Sequence, residues 1–105
     1  MEQAQKEHKP LLVDIWAAWC VACIQMEHST WKNPEIISLL QENYVSVKLD
    51  YTEAPEDLGK WVNSWQVTGL PAILIFAKED NSYKIPLKRF EGVVPDSEFI
   101  EKLTP

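Results

Sequence analysis

Trp19-Cys20-Val21-Ala22-Cys23 holds the chain's only two cysteines, two residues apart, directly after the apolar run Leu11 to Trp16. That run reads as a buried strand, and the residues after Cys23 read as a helix. A Cys-x-x-Cys at a strand-to-helix junction suits thiol–disulfide exchange. The first cysteine sits where free backbone N–H groups and the helix dipole favour a thiolate, and the thiolate is the attacking species. The second, one turn further on, is close enough to close an intramolecular disulfide. Asp14 is the anomaly in the run: an unpaired carboxylate is expensive to bury, and desolvation raises its pKa. That makes it a candidate proton acceptor for Cys23. Blander readings stand beside these. The cysteines could be inert core residues or half of a zinc site, for which His8 and His28 are the available histidines. Asp14 could be a strand-end residue that meets solvent.

Composition narrows the field. At 105 residues, 46% hydrophobic and 25% charged, the chain reads as one globular domain able to bury a core. A net charge of −6 gives no basic footprint, so nucleic acid is not an expected partner. A single short-range cysteine pair cannot staple a fold, because so small a loop constrains the unfolded chain little; a reversible role is favoured. Only three glycines are present and none forms a phosphate-cradling loop, so neither nucleotide nor flavin is expected, and no metal. No stretch approaches the roughly 20 apolar residues of a membrane span. The first ten residues are polar, without a signal-peptide pattern. This suits the cytosol, or a domain cut from a larger exported or membrane protein.

The elements that must position these residues follow from punctuation and periodicity. Residues 2–8 suit a helix that Pro10 ends. Leu11–Trp16 is a central strand, and a helix runs from about Cys20 to Ser29. Asn33-Pro34-Glu35 is an N-cap with proline opening a second helical piece to about Glu42. Val45 to Leu49 alternates as a strand, and Pro55 opens a helix through about Ser64. Ala72–Phe76 is an apolar strand, and a turn near Asp80-Asn81-Ser82 leads to an antiparallel strand over Ile85–Phe90, ended by Gly92. Pro95 starts the last helix, with Phe99, Ile100 and Leu103 as its apolar face. The order implies an α/β domain whose central mixed sheet has helices on both faces.

With these elements placed, residues 5–103 resemble the thioredoxin family. Asp14-Ile15-Trp16-Ala17-Ala18-Trp19-Cys20 looks like its strand-end segment, Gly69-Leu70-Pro71 like its cis-proline segment, and Phe90-Glu91-Gly92 like its late glycine region. Trp-Cys-Val-Ala-Cys, the Lys9-Pro10 lead-in, Asn33-Pro34-Glu35 and Val67-Thr68-Gly69-Leu70-Pro71 are similar to the C-terminal periplasmic domain of the DsbD subfamily of transmembrane reductant conductors. The chain departs at Ile24, where both groups usually carry lysine, removing a charge beside the motif.

The resemblance implies a thioredoxin fold, with Cys20 as nucleophile, Cys23 as resolving thiol and a lowered thiolate pKa. It implies that Pro71 is cis, which places the Leu70 backbone beside the cysteines for strand-like pairing with substrate. Lys48 on the adjacent strand would face Asp14 and temper its shift. Trp19 would flank the motif as docking surface with Trp16 packed beneath, while Val21 and Ala22 would tune the potential. Trp31, Trp61 and Trp65 read as core or helix-face residues, and His28, Glu53, Glu56 and Asp57 as solvated surface. The implied activity is that of a monomeric protein-disulfide reductase, recharged by an upstream dithiol donor such as a membrane-embedded cysteine pair on the periplasmic side. A free cytosolic thioredoxin and a redox-inert binding module are the alternatives.

Overall fold

Two strands of almost unbroken apolar residues build the centre. The computed structural model describes residues 2–104, with helix α1 (Glu2–Glu7), strand β1 (Leu11–Trp16), α2 (Val21–His28), a 3-10 turn (Thr30–Lys32) and α3 (Pro34–Asn43). Strand β2 (Val45–Asp50), α4 (Glu56–Ser64), β3 (Ala72–Phe76), β4 (Lys88–Glu91) and α5 (Asp96–Leu103) follow. The sheet order is β2-β1-β3-β4. β1 runs parallel to β2 and antiparallel to β3, and β3 runs antiparallel to β4. The thioredoxin fold and the mixed sheet expected from the sequence are both present.

Alternation along β1 divides the core. Leu11, Val13 and Ile15 join Leu74, Phe76, Val62 and Trp65 on one face, which α4 covers. Leu12 joins Met26, Ile36, Ile73, Phe99 and Leu103 on the other, under α2, α3 and α5. Asp14 shares the parity of Leu12, so its carboxyl points toward the α2 side. Burial on both faces explains why β1 and β3 are apolar at every position but Asp14.

Local signals set most element ends. Asn33 caps α3, its Oδ1 accepting the Glu35 N–H at 3.0 Å, and Pro34 follows at the first helical position. Thr30 and Asn33 both donate to the Asp96 carboxylate, at 2.9 and 3.0 Å, which ties the α2–α3 junction to the start of α5. One strand and one turn differ from the sequence reading. The last strand spans Lys88–Glu91 rather than Ile85–Phe90. Pro86 has no N–H to give a ladder, and pairing begins only with the Leu87 N–H to Ile75 O at 2.7 Å. The 3-10 turn between α2 and α3 is absent from the sequence expectation.

Candidate active site

Cys20 is the N-cap of α2. Its Sγ accepts the Cys23 N–H at 3.1 Å, so one of the helix's otherwise unpartnered donors points at that sulfur. The two cysteines are joined in a disulfide with Cα atoms 5.2 Å apart. Both are buried, in a small cluster with Ala17 on which Trp16, Ala22 and Leu70 pack. Trp16 therefore lies where the sequence placed it, beneath the motif.

The Leu70–Pro71 peptide bond is cis. Leu70 packs on the cysteine cluster, and its main chain lies outside the sheet ladder, which begins at Ala72. Gly92 supports this turn, its N–H donating to Pro71 O at 2.9 Å from a φ of +85°, a conformation natural to glycine.

Trp19 is 61% exposed and its indole is nonetheless fixed. Its Nε1–H donates to Thr52 O at 2.9 Å, while Thr52 Oγ1 accepts the Ala18 N–H at 2.9 Å. The Thr52 hydroxyl in turn donates to the Asp50 carboxylate, and the Thr52 N–H bonds it at 2.9 Å. Those bonds hold the Asp50 carboxyl below its ordinary pKa. The loop after β2 is thus a bracket for the tryptophan. Trp19 and Leu70 both line a cleft of about 320 Å³ with Tyr51, Val62 and Val67.

Asp14 is 3% exposed, and its Oδ1 has no hydrogen-bond partner. Burial raises its pKa from the ordinary 3.8 to about 6; Lys48 pulls it down and Glu27 pushes it up. Lys48 is Asp14's register partner across the β1–β2 pair. Its Nζ reaches both Glu27 carboxylate oxygens at 2.7 Å and lies 5.7 Å from the Trp31 ring centroid, within range of a cation–π attraction. Lys48 and Glu27 share a cleft of about 260 Å³ with Trp16, Cys23, Ile24 and His28, which joins the Asp14 electrostatics to the resolving-cysteine side.

The structure therefore brings Cys20, Cys23, Trp19, Leu70 and Pro71 to one end of the sheet, with Lys48 lining the cleft beside Cys23 and Asp14 its register partner on β1. Val21 is 69% exposed at the start of α2, and Ala22 packs on the cysteines. Trp65 is core, Trp61 is exposed on α4 and Trp31 is half-buried. Glu27 and Thr52 are site residues that the sequence reading does not pick out. Glu27 is legible as the residue four after Cys23, on the same helix face. Nothing in the sequence marks Thr52. Among the described residues, no group of three or more His, Cys, Asp or Glu side chains is placed to hold a metal ion.

This arrangement matches a known family. The thioredoxin-like family profile covers residues 1–78. The chain belongs to the thioredoxin-like family. It is 32% identical over 100 residues to the thiol:disulfide interchange protein DsbD of Yersinia enterocolitica, covering 95% of this chain and 17% of that protein. Against DsbD of Klebsiella pneumoniae it is 36% identical over 77 residues, covering 72% of this chain and 12% of that protein. The chain thus spans about a sixth of the length of the first of these relatives. The reduced DsbD C-terminal domain of Neisseria meningitidis superposes with a TM-score of 0.72 at 23% identity, covering 97% of this chain and 90% of that one. A thioredoxin from Thermus thermophilus gives 0.83 at 22% identity, covering 97% and 76%. The resemblance to thioredoxins of the DsbD kind is borne out. Among the described residues no helix is long and apolar enough to cross a membrane.

Proposed function

We propose that the chain is a thiol–disulfide oxidoreductase domain acting as a dithiol reductant. The observation that carries this is the Cys20–Cys23 disulfide at the head of α2, joined to a strand that buries the Asp14 carboxyl with its Oδ1 lacking a hydrogen-bond partner. In the reduced domain the Cys20 thiolate attacks one sulfur of a partner disulfide. A Cys20–partner disulfide forms, and the partner's other sulfur leaves as a thiolate. Asp14 takes the proton of Cys23, whose thiolate attacks Cys20 Sγ and expels the partner's second sulfur. Two electrons pass to the partner, and the Cys20–Cys23 disulfide re-forms.

An upstream dithiol must recharge the domain. The resemblance to DsbD implies a membrane-embedded cysteine pair as that donor, a membrane protein as the parent and the periplasmic side as its compartment, and the coverage of only 17% and 12% of the DsbD relatives supports a larger parent protein. Trp19, Leu70 and Pro71 receive the partner, and the reaction needs neither metal nor organic cofactor.

Covalent capture tests the reading. A Cys23→Ser variant should retain disulfide-bearing partners as mixed disulfides through Cys20, and Cys20→Ser should retain none. Equilibration of the wild-type domain in dithiol buffers should give a strongly reducing potential. A markedly oxidising value would reverse the direction of electron flow. Absence of a titratable dithiol would leave only a redox-inert binding module.

A further inference from the structure

Strand β4 ends the sheet and has one neighbour, β3. Gly92 N–H donates to Pro71 O, which sets the phase of the antiparallel pairing. Residues of such a ladder turn their main-chain groups alternately toward the partner strand and away from it. In the register that sets Phe90 against Ile73 and Arg89 against Leu74, Phe90 therefore bonds β3, while Arg89 and Glu91 turn their N–H and C=O groups to the open side. An open edge is a template for another strand unless charged side chains guard it. Here the charges are drawn back onto the molecule. Lys88 Nζ donates to Lys102 O at 2.8 Å, and the Arg89 guanidinium donates to Glu91 at 2.9 Å and Gln66 O at 3.4 Å.

The same edge borders a cleft of about 460 Å³ lined by Lys88, Arg89, Phe90, Val94, Glu98 and Lys102. Three cations stand there against one carboxylate, in a chain of net charge −6. Phe90 packs edge-on against Phe99 of α5, ring centroids 5.1 Å apart. Lys88 shares its parity, so its side chain leaves the strand on the α5 face, where Lys102 also lies. A strand added beside β4 would set every second side chain on that face.

We propose that the open edge of β4 is a docking site for an extended, acidic peptide segment. The segment adds as a further strand, its main chain pairing with Arg89 and Glu91 and its alternate carboxylates meeting Lys88 and Lys102. None of the cleft's residues belongs to the cysteine cluster or lines the clefts at Trp19 and Cys23. The site therefore stands or falls separately from the redox reading.

The test titrates three synthetic peptides into the isotope-labelled domain and follows its amide NMR signals. One is an alternating Glu-Val repeat, the second its Lys-Val counterpart, and the third the Glu-Val repeat with alternate main-chain nitrogens methylated. The Glu-Val peptide should shift the Arg89 and Glu91 amides and slow their hydrogen exchange, with Phe90, already paired to β3, changed least. The Lys-Val peptide should bind at least about tenfold more weakly. Lys102→Glu should weaken the Glu-Val peptide by about tenfold, because an exposed attraction becomes a repulsion. Glu98→Gln should tighten it by about threefold for the converse reason. Methylation leaves the charge and removes the strand pairing, so the third peptide should not bind. No shifts, shifts centred away from β4, equal binding of the Lys-Val peptide, affinity unmoved in both variants, or binding that survives methylation overturns the proposal. The same β4 shifts on concentrating the domain alone would make a second copy the occupant, and overturn it too.

Discussion

Asp14→Asn should stabilise the oxidised domain at neutral pH, and the gain should vanish in acid. In the fold its pKa is about 6 against an ordinary 3.8, a gap of about two units, first because the carboxyl is buried. One pKa unit is worth about 1.4 kcal/mol, so ionised Asp14 costs the native state about 3 kcal/mol at pH 7 and above. The native state holds this proton more tightly than the unfolded chain does. Stability from this group is therefore highest in acid and falls as pH rises through 3.8 to 6. About 2.5 kcal/mol of the loss lies between pH 4 and pH 8. Asparagine has similar shape and carries no charge, so the variant loses this slope. Urea unfolding of both proteins at half-unit steps from pH 4 to 8 measures the difference. The lowered pKa of Asp50 and Asp80 gives slopes of the opposite sign, which cancel between wild type and variant. A pH-independent difference, or one that shrinks toward pH 8, would refute the claim that burial of Asp14 outweighs its relief by Lys48.

Four further outcomes follow from the same contacts. Lys48→Met should raise the Asp14 pKa above its wild-type value and Glu27→Gln should lower it, each read by carboxyl NMR titration. In single turnover at pH 7, Asp14→Asn should slow release of the second partner thiol by about a hundredfold, so that mixed disulfide accumulates in quench-flow samples. Thr52→Val removes the acceptor for the Ala18 N–H and the donor to Asp50. It should cost about 1–2 kcal/mol in chemical unfolding and let the Asp50 pKa rise toward its ordinary value. Gly92→Ala meets no heavy atom within 4 Å, so its cost should be the left-handed backbone alone, about 1 kcal/mol in the same assay.

Most of the fold was legible because its signals are local. The runs Leu11–Trp16 and Ala72–Phe76 are apolar at every position but Asp14, as strands covered on both faces must be. Asn33-Pro34 and Pro95 mark helix starts through fixed φ and side-chain capping. Ile85 to Leu87 misled for the complementary reason. A strand pairing back after the turn near Asp80-Asn81-Ser82 was expected there, but Pro86 cannot donate to a ladder, and Ile85 is left 82% exposed. In the site, Asp14 was visible as a polar residue in an apolar run. Thr52 was not, because its value lies in contacts made 33 and 34 residues away, which only the loop's return past Trp19 creates.

The energetics of Asp14 argue that its place is set by chemistry rather than by the fold. Domains of this size are stable by only about 5–15 kcal/mol. A side chain costing about 3 kcal/mol at neutral pH is therefore a large concession. An aliphatic residue would fit the strand, whose neighbours Leu12, Val13 and Ile15 are all buried. Nor does the fold minimise the cost. Lys48, the one cation that relieves Asp14, is held between Glu27 and the Trp31 ring, and the same Glu27 raises the Asp14 pKa. The result is a carboxyl with a pKa near 6 rather than one fully neutralised by its cation. Such a group is largely ionised at pH 7, yet only about one unit from holding a proton. A resolving thiol needs an acceptor of that kind, present during the second attack and able to release the proton afterwards. Lowering the Asp14 pKa toward its ordinary value with Glu27→Gln should therefore stabilise the domain and slow resolution together. If the variant gains stability with no loss of resolution rate, Asp14 is not the proton acceptor.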